Sequence, residues 1–282
     1  MKKIFFFSLW CGLLAISLFA LPLEAGSTDA ALPEETTGAR EAFIKGVMTV
    51  KGEGVAPEGS FSHAQKRLLA LRAAKIAAYR EITERLDGVA ISGETTIFNA
   101  SASSDQVRTS VQGVITGAEV VREVYDPETG IGTVYLSLRL PDAFGSFLPV
   151  ISGTIPPLPE YHGIAIAQSG PDGLIIDARG TGFKPALLNR IVTAGGEVVY
   201  DPSRLSRETA AQGNAPGYTS DLEKAKELLL QKGSTNPLLV KAGRVSKFST
   251  DIELDPTEAS IVFASNQSGR FLEAARIIFI LD

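Results

Sequence analysis

The sequence predicts an α+β fold of two domains, each a mostly antiparallel sheet with helices packed on it. Segments in which apolar residues alternate, as in strands, are interleaved with segments of helical periodicity. A stretch rich in proline and glycine, residues 143–162, separates two such groups. The length of 282 residues suits two domains of ordinary size.

Residues 1–25 have the layout of a bacterial export signal. Lys2 and Lys3 provide the charged start, residues 4–21 are almost entirely apolar, and cleavage is expected after Ala25. The apolar run is also long enough to cross a bilayer, so an uncleaved leader that serves as an anchor is the alternative. The leader places the protein in the periplasm or at the periplasmic face of the outer membrane.

Cys11 is the only cysteine of the chain. It lies in the middle of the apolar run, and Trp10 precedes it where lipoprotein processing requires a small residue. We therefore expect Cys11 to be removed with the leader, which leaves a mature chain without disulfides or thiolate chemistry. His63 and His162 are the two histidines, too few for a typical zinc site.

The charge pattern argues against nucleic acid as a partner. The formal charge is −5, from 27 basic and 32 acidic residues. These residues are spread along the chain and form no basic patch of the kind that phosphate backbones require.

The first domain is predicted at residues 42–142, after a flexible tether at 26–41. A first strand lies within residues 41–57, and a helix follows with Ser60 or Ser62 as its N-cap. On a helical wheel one apolar stripe contains Ala64, Leu68, Leu71, Ala78, Ile82 and Leu86. The many alanines of this helix favour helix formation and allow close packing on a sheet.

Lys75 falls inside that stripe on the wheel. Its stem could pack while its ammonium group extends to water, or it could meet an ionic partner at a subunit interface. After Asp87-Gly88, residues 89–100 alternate like a strand. Residues 103–117 predict a helix capped by Ser104 or Asp105, and residues 118–140 predict a hairpin with its turn at PETG.

The second domain is predicted at residues 163–282, after a stiff linker at 143–162. The linker contains Pro149, Pro156, Pro157 and Pro159, and we place the boundary near Pro156. Beyond it residues 163–202 predict four strands separated by turns, further strands are predicted at 236–246, 249–254 and 275–282, and helices are predicted at 220–232 and 255–265.

The sequence lacks a set of residues typical of catalysis. Gly180 and Gly182 are spaced as in an anion-binding loop, but Lys184-Pro185 stands where a dinucleotide fingerprint requires a third glycine. No serine occurs in a G-x-S-x-G motif. Asp251, Glu253 and Asp255 alternate along a strand and are expected to share one solvated face. We predict no catalytic residue, no cofactor and no metal site.

Residues 43–141 carry a resemblance to a known group. The stretch ALRAAKIAAYREITERLDGVAISGETTI, with SDQVRTSVQGVITGAEVVREVYDPETGIGTVYLSL after it, resembles the FlgP-like family of bacterial envelope proteins, which includes flagellar basal-disk lipoproteins and LPP-type lipoproteins. The segments GLIIDARGTGFKPALLNRIVTAGGEVVYD and FLEAARIIFILD resemble the C-terminal extension of longer members. The resemblance implies a non-catalytic protein that assembles into rings or disks. The position of Cys11 departs from the lipidated pattern of many relatives.

The expected function is therefore that of a structural protein of the cell envelope, a homo-oligomer that serves the flagellar motor or another outer-membrane structure. Arg72, Lys75 and Tyr79 are the candidate subunit contacts. Other envelope or flagellar proteins are the expected partners. A periplasmic module that binds a small ligand in a cleft between the two domains is the alternative.

Overall fold

A computed structural model describes residues 31–152, 157–163, 170–212 and 214–282. The predicted leader at 1–25 and the predicted boundary at Pro156 lie outside these residues. Residues Pro33–Asp282 form one compact unit. In the described part of the chain, no helix has both the length and the apolar character needed to span a membrane.

The α+β class is confirmed, with helices and strands mixed along the chain. The helices are α1 (Ala39–Lys45), α2 (His63–Asp87), α3 (Ile97–Ser103), α4 (Asp105–Thr116), α5 (Leu140–Ile151), α6 (Arg207–Ala211), α7 (Leu222–Gln231) and α8 (Pro256–Gly269), with a 3₁₀ turn at Pro202–Arg204. The strands are β1 (Val47–Val55), β2 (Ala90–Ser92), β3 (Thr95–Thr96), β4 (Glu119–Asp126), β5 (Ile131–Arg139), β6 (Gly173–Asp177), β7 (Ile191–Thr193), β8 (Val198–Tyr200), β9 (Gly217–Thr219), β10 (Pro237–Lys241), β11 (Arg244–Val245), β12 (Ile252–Leu254) and β13 (Ile277–Ile280).

The first half is built on an antiparallel sheet of order β1-β5-β4 with α2 packed across it. The predicted hairpin is confirmed as β4 and β5. Ser62, one of the two predicted caps, begins α2 with a capping box: its hydroxyl accepts from the amide of Gln65, whose side chain accepts from the amide of Ser62.

Small residues set the distance between α2 and this sheet. Ala70, Ala74 and Ala78 are fully buried on the sheet side of the helix. Gly52 and Gly132 lie directly beneath them, and a Cβ atom added at Gly52 would come within 2.1 Å of the backbone nitrogen of Ala78. The alanines therefore allow a helix-to-strand approach that larger side chains would prevent, as the sequence predicted.

The start of the chain differs from the predicted tether and first strand. Residues 39–45 form α1, and the strand begins only at Val47, after Gly46 with φ of +68°. Before α1, Thr36 lies against the open edge of β1, where its amide donates to the carbonyl of Thr49 at 3.0 Å. This hydrogen bond holds Thr36 against the sheet, although composition predicted a flexible tether at residues 26–41.

The single strand predicted at residues 89–100 is also replaced. Gly93, with φ of +61°, turns the chain between the short strands β2 and β3, and α3 starts at Ile97. Thr96 caps α3 through its side chain, which accepts from the amide of Asn99. The next helix, α4, is as predicted, and Ser104 is its cap.

The second half contains two further sheets. The order β10-β6-β13-β9 is parallel throughout, which differs from the mostly antiparallel sheet that the sequence predicted. Its central strands β6 and β13 are buried almost completely, as is usual for parallel strands covered on both faces. The other sheet has the order β11-β12-β7-β8, and one of its three pairings, β12 with β7, is parallel.

Residues of both predicted domains pack against one another within the compact unit Pro33–Asp282. Residues 143–151 of the predicted linker are helical in α5, and Phe144, Phe147 and Ile151 are buried there. Across the predicted boundary, the amides of Leu187 and Leu188 donate to the carbonyls of β2 at 2.9 and 2.8 Å. One hydrophobic core accordingly runs through both halves.

Candidate functional site

The subunit contacts predicted from the sequence lie on α2. Arg72 and Lys75 are exposed, and Tyr79 is partly buried. Lys75 does not lie within the buried stripe. The buried side of α2 consists of residues spaced four apart, Ala70, Ala74, Ala78, Ile82 and Leu86. Lys75 is one residue beyond Ala74, a rotation of about 100° around the helix, and therefore stands at the surface. Its role at an interface stays a prediction.

Ala64 and Leu68, also predicted in the stripe, are exposed instead. Ala70 already lies over Gly132, the second residue of β5. The first two turns of α2 therefore lie beyond the part of the helix that packs on β1 and β5, and most of their side chains are exposed in the described structure.

A shallow apolar groove lies beside α2. Ile76, Tyr79 and Thr83 of α2 and Ile115 of α4 line it, and the charged ends of Arg80 and Glu84 border it. It holds about 480 Å³ of open space, and Ile76 is 48% exposed. Of the three predicted contact residues, Tyr79 alone lines this groove. The groove therefore offers an apolar surface next to the predicted contacts.

Strand β4 is an open edge of the first sheet, since it pairs only with β5 in the described chain. Val120, Val121 and Val124 are exposed on it. Val121 forms a bulge, because the pairing register shifts between Val120 and Arg122. Such bulges are one way in which edges are protected, but the rest of β4 keeps a regular ladder. An apolar edge of this kind is a ready surface for pairing with another chain.

A second feature is an apolar cavity where the two halves of the chain meet. It has a volume of about 180 Å³ and is open at one side. Its walls come from α1, α5, α7, β9, β13 and the segment before β7, and include Phe43, Leu140, Phe144, Leu187, Tyr218, Leu228 and Ile278.

One charged side chain of this cavity stands out. Lys232, just after α7, lines the cavity, and its ammonium group donates to the carbonyl of Ala215 at 2.8 Å. Burial lowers the pKa of Lys232. Lys45, at the rim, has two carboxylates at 2.7 Å, those of Glu34 and Glu41. No carboxylate of the described residues forms an ion pair with Lys232.

A buried ionic cluster lies at the ends of β7, β8 and β12, next to Ile191, Tyr200 and Ile252. The Arg190 Nε and an Asp201 carboxylate oxygen are 3.0 Å apart, and the two side chains are 7% and 1% exposed. Asp201 also accepts from the amide of Ser203 and caps the 3₁₀ turn. Burial raises the pKa of Asp251, which is partly offset by the attraction of Arg190. The cluster joins three separate segments inside the fold, which is a structural role.

The prediction that Asp251, Glu253 and Asp255 share a solvated face is wrong. Asp251 is buried, Glu253 forms an ion pair with Arg244 at 2.9 Å, and Asp255 caps α8. The strand itself covers only three residues, 252–254, so the alternation does not reach the two aspartates. His63 and His162 are both exposed. The described residues contain no cluster of three acidic, histidine or cysteine side chains that could hold a metal.

Asp172 holds the turn before β10, and its replacement by alanine has a predictable effect. Burial raises its pKa, but hydrogen bonds from Ser234 and from the amides of Thr235 and Asn236 outweigh burial and lower the pKa from 3.8 to about 2. Because the folded pKa is depressed, the stabilisation is present above pH 3.8 and is lost as pH falls to about 2. We expect Asp172→Ala to cost about 1–2 kcal/mol at pH 7, less than the full shift implies since water reaches the carboxylate.

Urea denaturation of both proteins between pH 2 and pH 7 measures this cost. The difference between wild type and Asp172→Ala should shrink as the pH falls below 4. Glu58→Ala, which removes an exposed loop carboxylate, should change the stability little at any of these pH values. A pH-independent cost at position 172 would show that charge plays no part.

Sequence reasoning identified α2 as a candidate contact surface and predicted the β4 strand, but it did not identify the open edge of β4 or the residues that line the cavity. The sequence EVVREV contains the adjacent valines Val120 and Val121 in a predicted hairpin strand. It does not show that this strand lies at the open edge of the sheet. The cavity had no sequence signal, because its walls come from segments between residues 43 and 278 that only the tertiary fold brings together.

Residues 173–282 match a family described as Treponema pallidum Tp0624, second domain. The match covers the parallel sheet, α7 and α8, and lies outside α2 and β4. A search of curated proteins gave no match for the chain.

Proposed function

We propose that the protein is a non-catalytic structural component of the bacterial cell envelope that works as a homo-oligomer. It is exported to the periplasm or to the periplasmic face of the outer membrane, and it serves the flagellar motor or another outer-membrane accessory structure. The resemblance of residues 43–141 supports this assignment. The observation that carries it is the exposed edge of β4.

Pairing of two β4 strands offers a chemically consistent contact. By strand alternation, Arg122, Val124 and Asp126 share one face of the sheet. An antiparallel pair centred on Val124 places Arg122 opposite Asp126 of the partner subunit, a favourable cross-strand combination.

The groove beside α2 extends this contact. Ile76 and Tyr79 line it on the helix that covers the same sheet. Side chains of a second copy paired at β4 would reach this groove and exclude water from it, which is the main source of association energy for apolar surfaces. Arg72 and Lys75, exposed on the same helix, are then placed at the border of the contact.

Val124→Lys tests the proposal, because it puts a charge at the centre of the paired edge. Residues 33–282 form one compact unit with its own core, so residues 26–282 are a suitable protein for this experiment. We expect wild type to elute as an oligomer in size-exclusion chromatography with light scattering, and Val124→Lys to associate at least tenfold more weakly. Val124 is 36% exposed, so the monomer should keep its fold.

The control is Leu239→Lys on β10, the edge strand of the parallel sheet. Leu239 is 52% exposed, and the same change there should leave the oligomer intact. A strictly monomeric wild type, or dissociation by Leu239→Lys and not by Val124→Lys, would refute assembly through β4.

Deletion of the gene should impair swimming. Normal motility would leave only a general envelope role.

A further inference from the structure

We propose that the cavity between α1, α5, α7 and β9 binds an aliphatic carboxylate of about six to eight carbons, with Lys232 as the cationic partner of its carboxylate. This site would be separate from the β4 edge and does not depend on assembly.

The first argument is the shape and lining of the cavity. A cavity of about 150 Å³ lined by aliphatic and aromatic side chains is large enough for benzene, and this one has about 180 Å³. Phe43, Leu140, Phe144 and Ile278 give it an apolar wall. The space therefore suits a short hydrocarbon body, and the open side leaves room for a polar end group.

The second argument is charge. Lys232 lines the cavity, and the hydrogen bond to the carbonyl of Ala215 uses one of its three donors. Lys232 is partly buried, and withdrawing an ammonium group from water without an anionic partner is costly, so proteins pair such groups as a rule. The two carboxylates near the rim, Glu34 and Glu41, are already bound to Lys45. An anion inside the cavity would supply the missing partner.

The two features together define the class of ligand. A small inorganic anion would leave the apolar walls in contact with water, and an uncharged hydrocarbon would leave the ammonium group uncompensated. A carboxylate on a short aliphatic chain satisfies both, because a charge-assisted hydrogen bond to Lys232 and burial of the chain occur in one molecule.

Isothermal titration calorimetry with octanoate tests the proposal on residues 26–282. We expect saturable one-to-one binding, and a rise in the melting temperature as octanoate is added. Acetate, which has the charge without the chain, should bind far more weakly. Lys232→Met keeps the length of the side chain but removes the charge, and should weaken octanoate binding at least about tenfold. The same variant should bind octan-1-ol as wild type does.

Two further variants complete the test. Lys224→Met removes an exposed lysine from α7 outside the cavity and should leave octanoate binding unchanged. Ala215→Phe fills the cavity from a partly exposed wall position and should abolish binding of both octanoate and octan-1-ol. The absence of octanoate binding to wild type, or equal binding by wild type and Lys232→Met, would overturn the proposal. Val124→Lys should bind octanoate normally, so this result is independent of oligomer formation.

Discussion

Replacing Gly52 with alanine is expected to destabilise the protein by at least about 3 kcal/mol. The added Cβ would lie 2.1 Å from the nitrogen of Ala78 and 2.4 Å from the carbonyl oxygen of Ala74. Both atoms belong to the helix backbone, so no side chain can rotate to relieve the contact. Helix α2 would have to lift away from β1, which would expose the buried face of Ala70, Ala74 and Ala78.

Gly113→Ala provides a matched control for the same chemical change. Gly113 lies inside α4, and nothing comes within 4 Å of the position of an added Cβ. Alanine is favoured over glycine in a helix interior by about 0.5–1 kcal/mol, so this variant should be slightly more stable than wild type. Guanidinium denaturation of the three proteins measures both effects. Equal stabilities of the two variants would show that the close approach of α2 to the sheet is not real.

The close packing of α2 was the part of the fold most accessible from the sequence. The run of alanines predicted a helix that lies tightly on a sheet, and Gly52, Gly54 and Gly132 provide the matching flat surface on β1 and β5. The caps of α2 and α4 and the β4-β5 hairpin were predictable for the same reason, since each depends on neighbours in the sequence.

The parallel sheet was harder to predict because the order of its strands depends on distant segments. Still, the continuous apolar runs of β6 and β13 were a signal for strands buried on both faces, unlike the alternating pattern of one-sided antiparallel strands. The short strands β2 and β3 illustrate the opposite limit. Strand β2 is held by hydrogen bonds from the backbone amides of Leu187 and Leu188, which lie in the other half of the chain, and no local pattern reveals this contact.

The candidate site was predicted in part. The composition of α2 led to Arg72, Lys75 and Tyr79, and Tyr79 indeed lines a groove. The helical wheel placed Lys75 on the wrong side of α2 because it assigned one average direction to the apolar side chains from Ala64 onward. The buried residues instead follow one another every four positions, and their direction rotates slowly around the helix. Lys232 could not be identified from the sequence, because no pattern shows that it lines a cavity or that it has no ion-paired carboxylate among the described residues.

Replacing Arg190 with methionine should have the second large effect, a loss of about 3–5 kcal/mol at pH 7. The substitution keeps much of the side-chain volume but leaves the carboxylate of Asp201 without the cation 3.0 Å away. The variant also removes the electrostatic attraction between Arg190 and Asp251, so the pKa of Asp251, which burial already raises, rises further. A carboxyl group whose folded pKa lies above its unfolded value favours the fold when it is protonated, and that contribution is lost as the pH rises. The deficit of Arg190→Met relative to wild type should therefore be smaller at pH 4 than at pH 7.

Arg179→Met separates this effect from the simple loss of an arginine. Arg179 also pairs with an aspartate, Asp177 at 2.6 Å, but its side chain is 49% exposed, and such surface pairs contribute about 0–1 kcal/mol. Urea denaturation at pH 4 and pH 7 should therefore show a large, pH-dependent cost at position 190 and a small cost at position 179. Similar costs at the two positions would mean that water reaches the Arg190 cluster. The cluster would then not be the ionic centre that joins β7, β8 and β12.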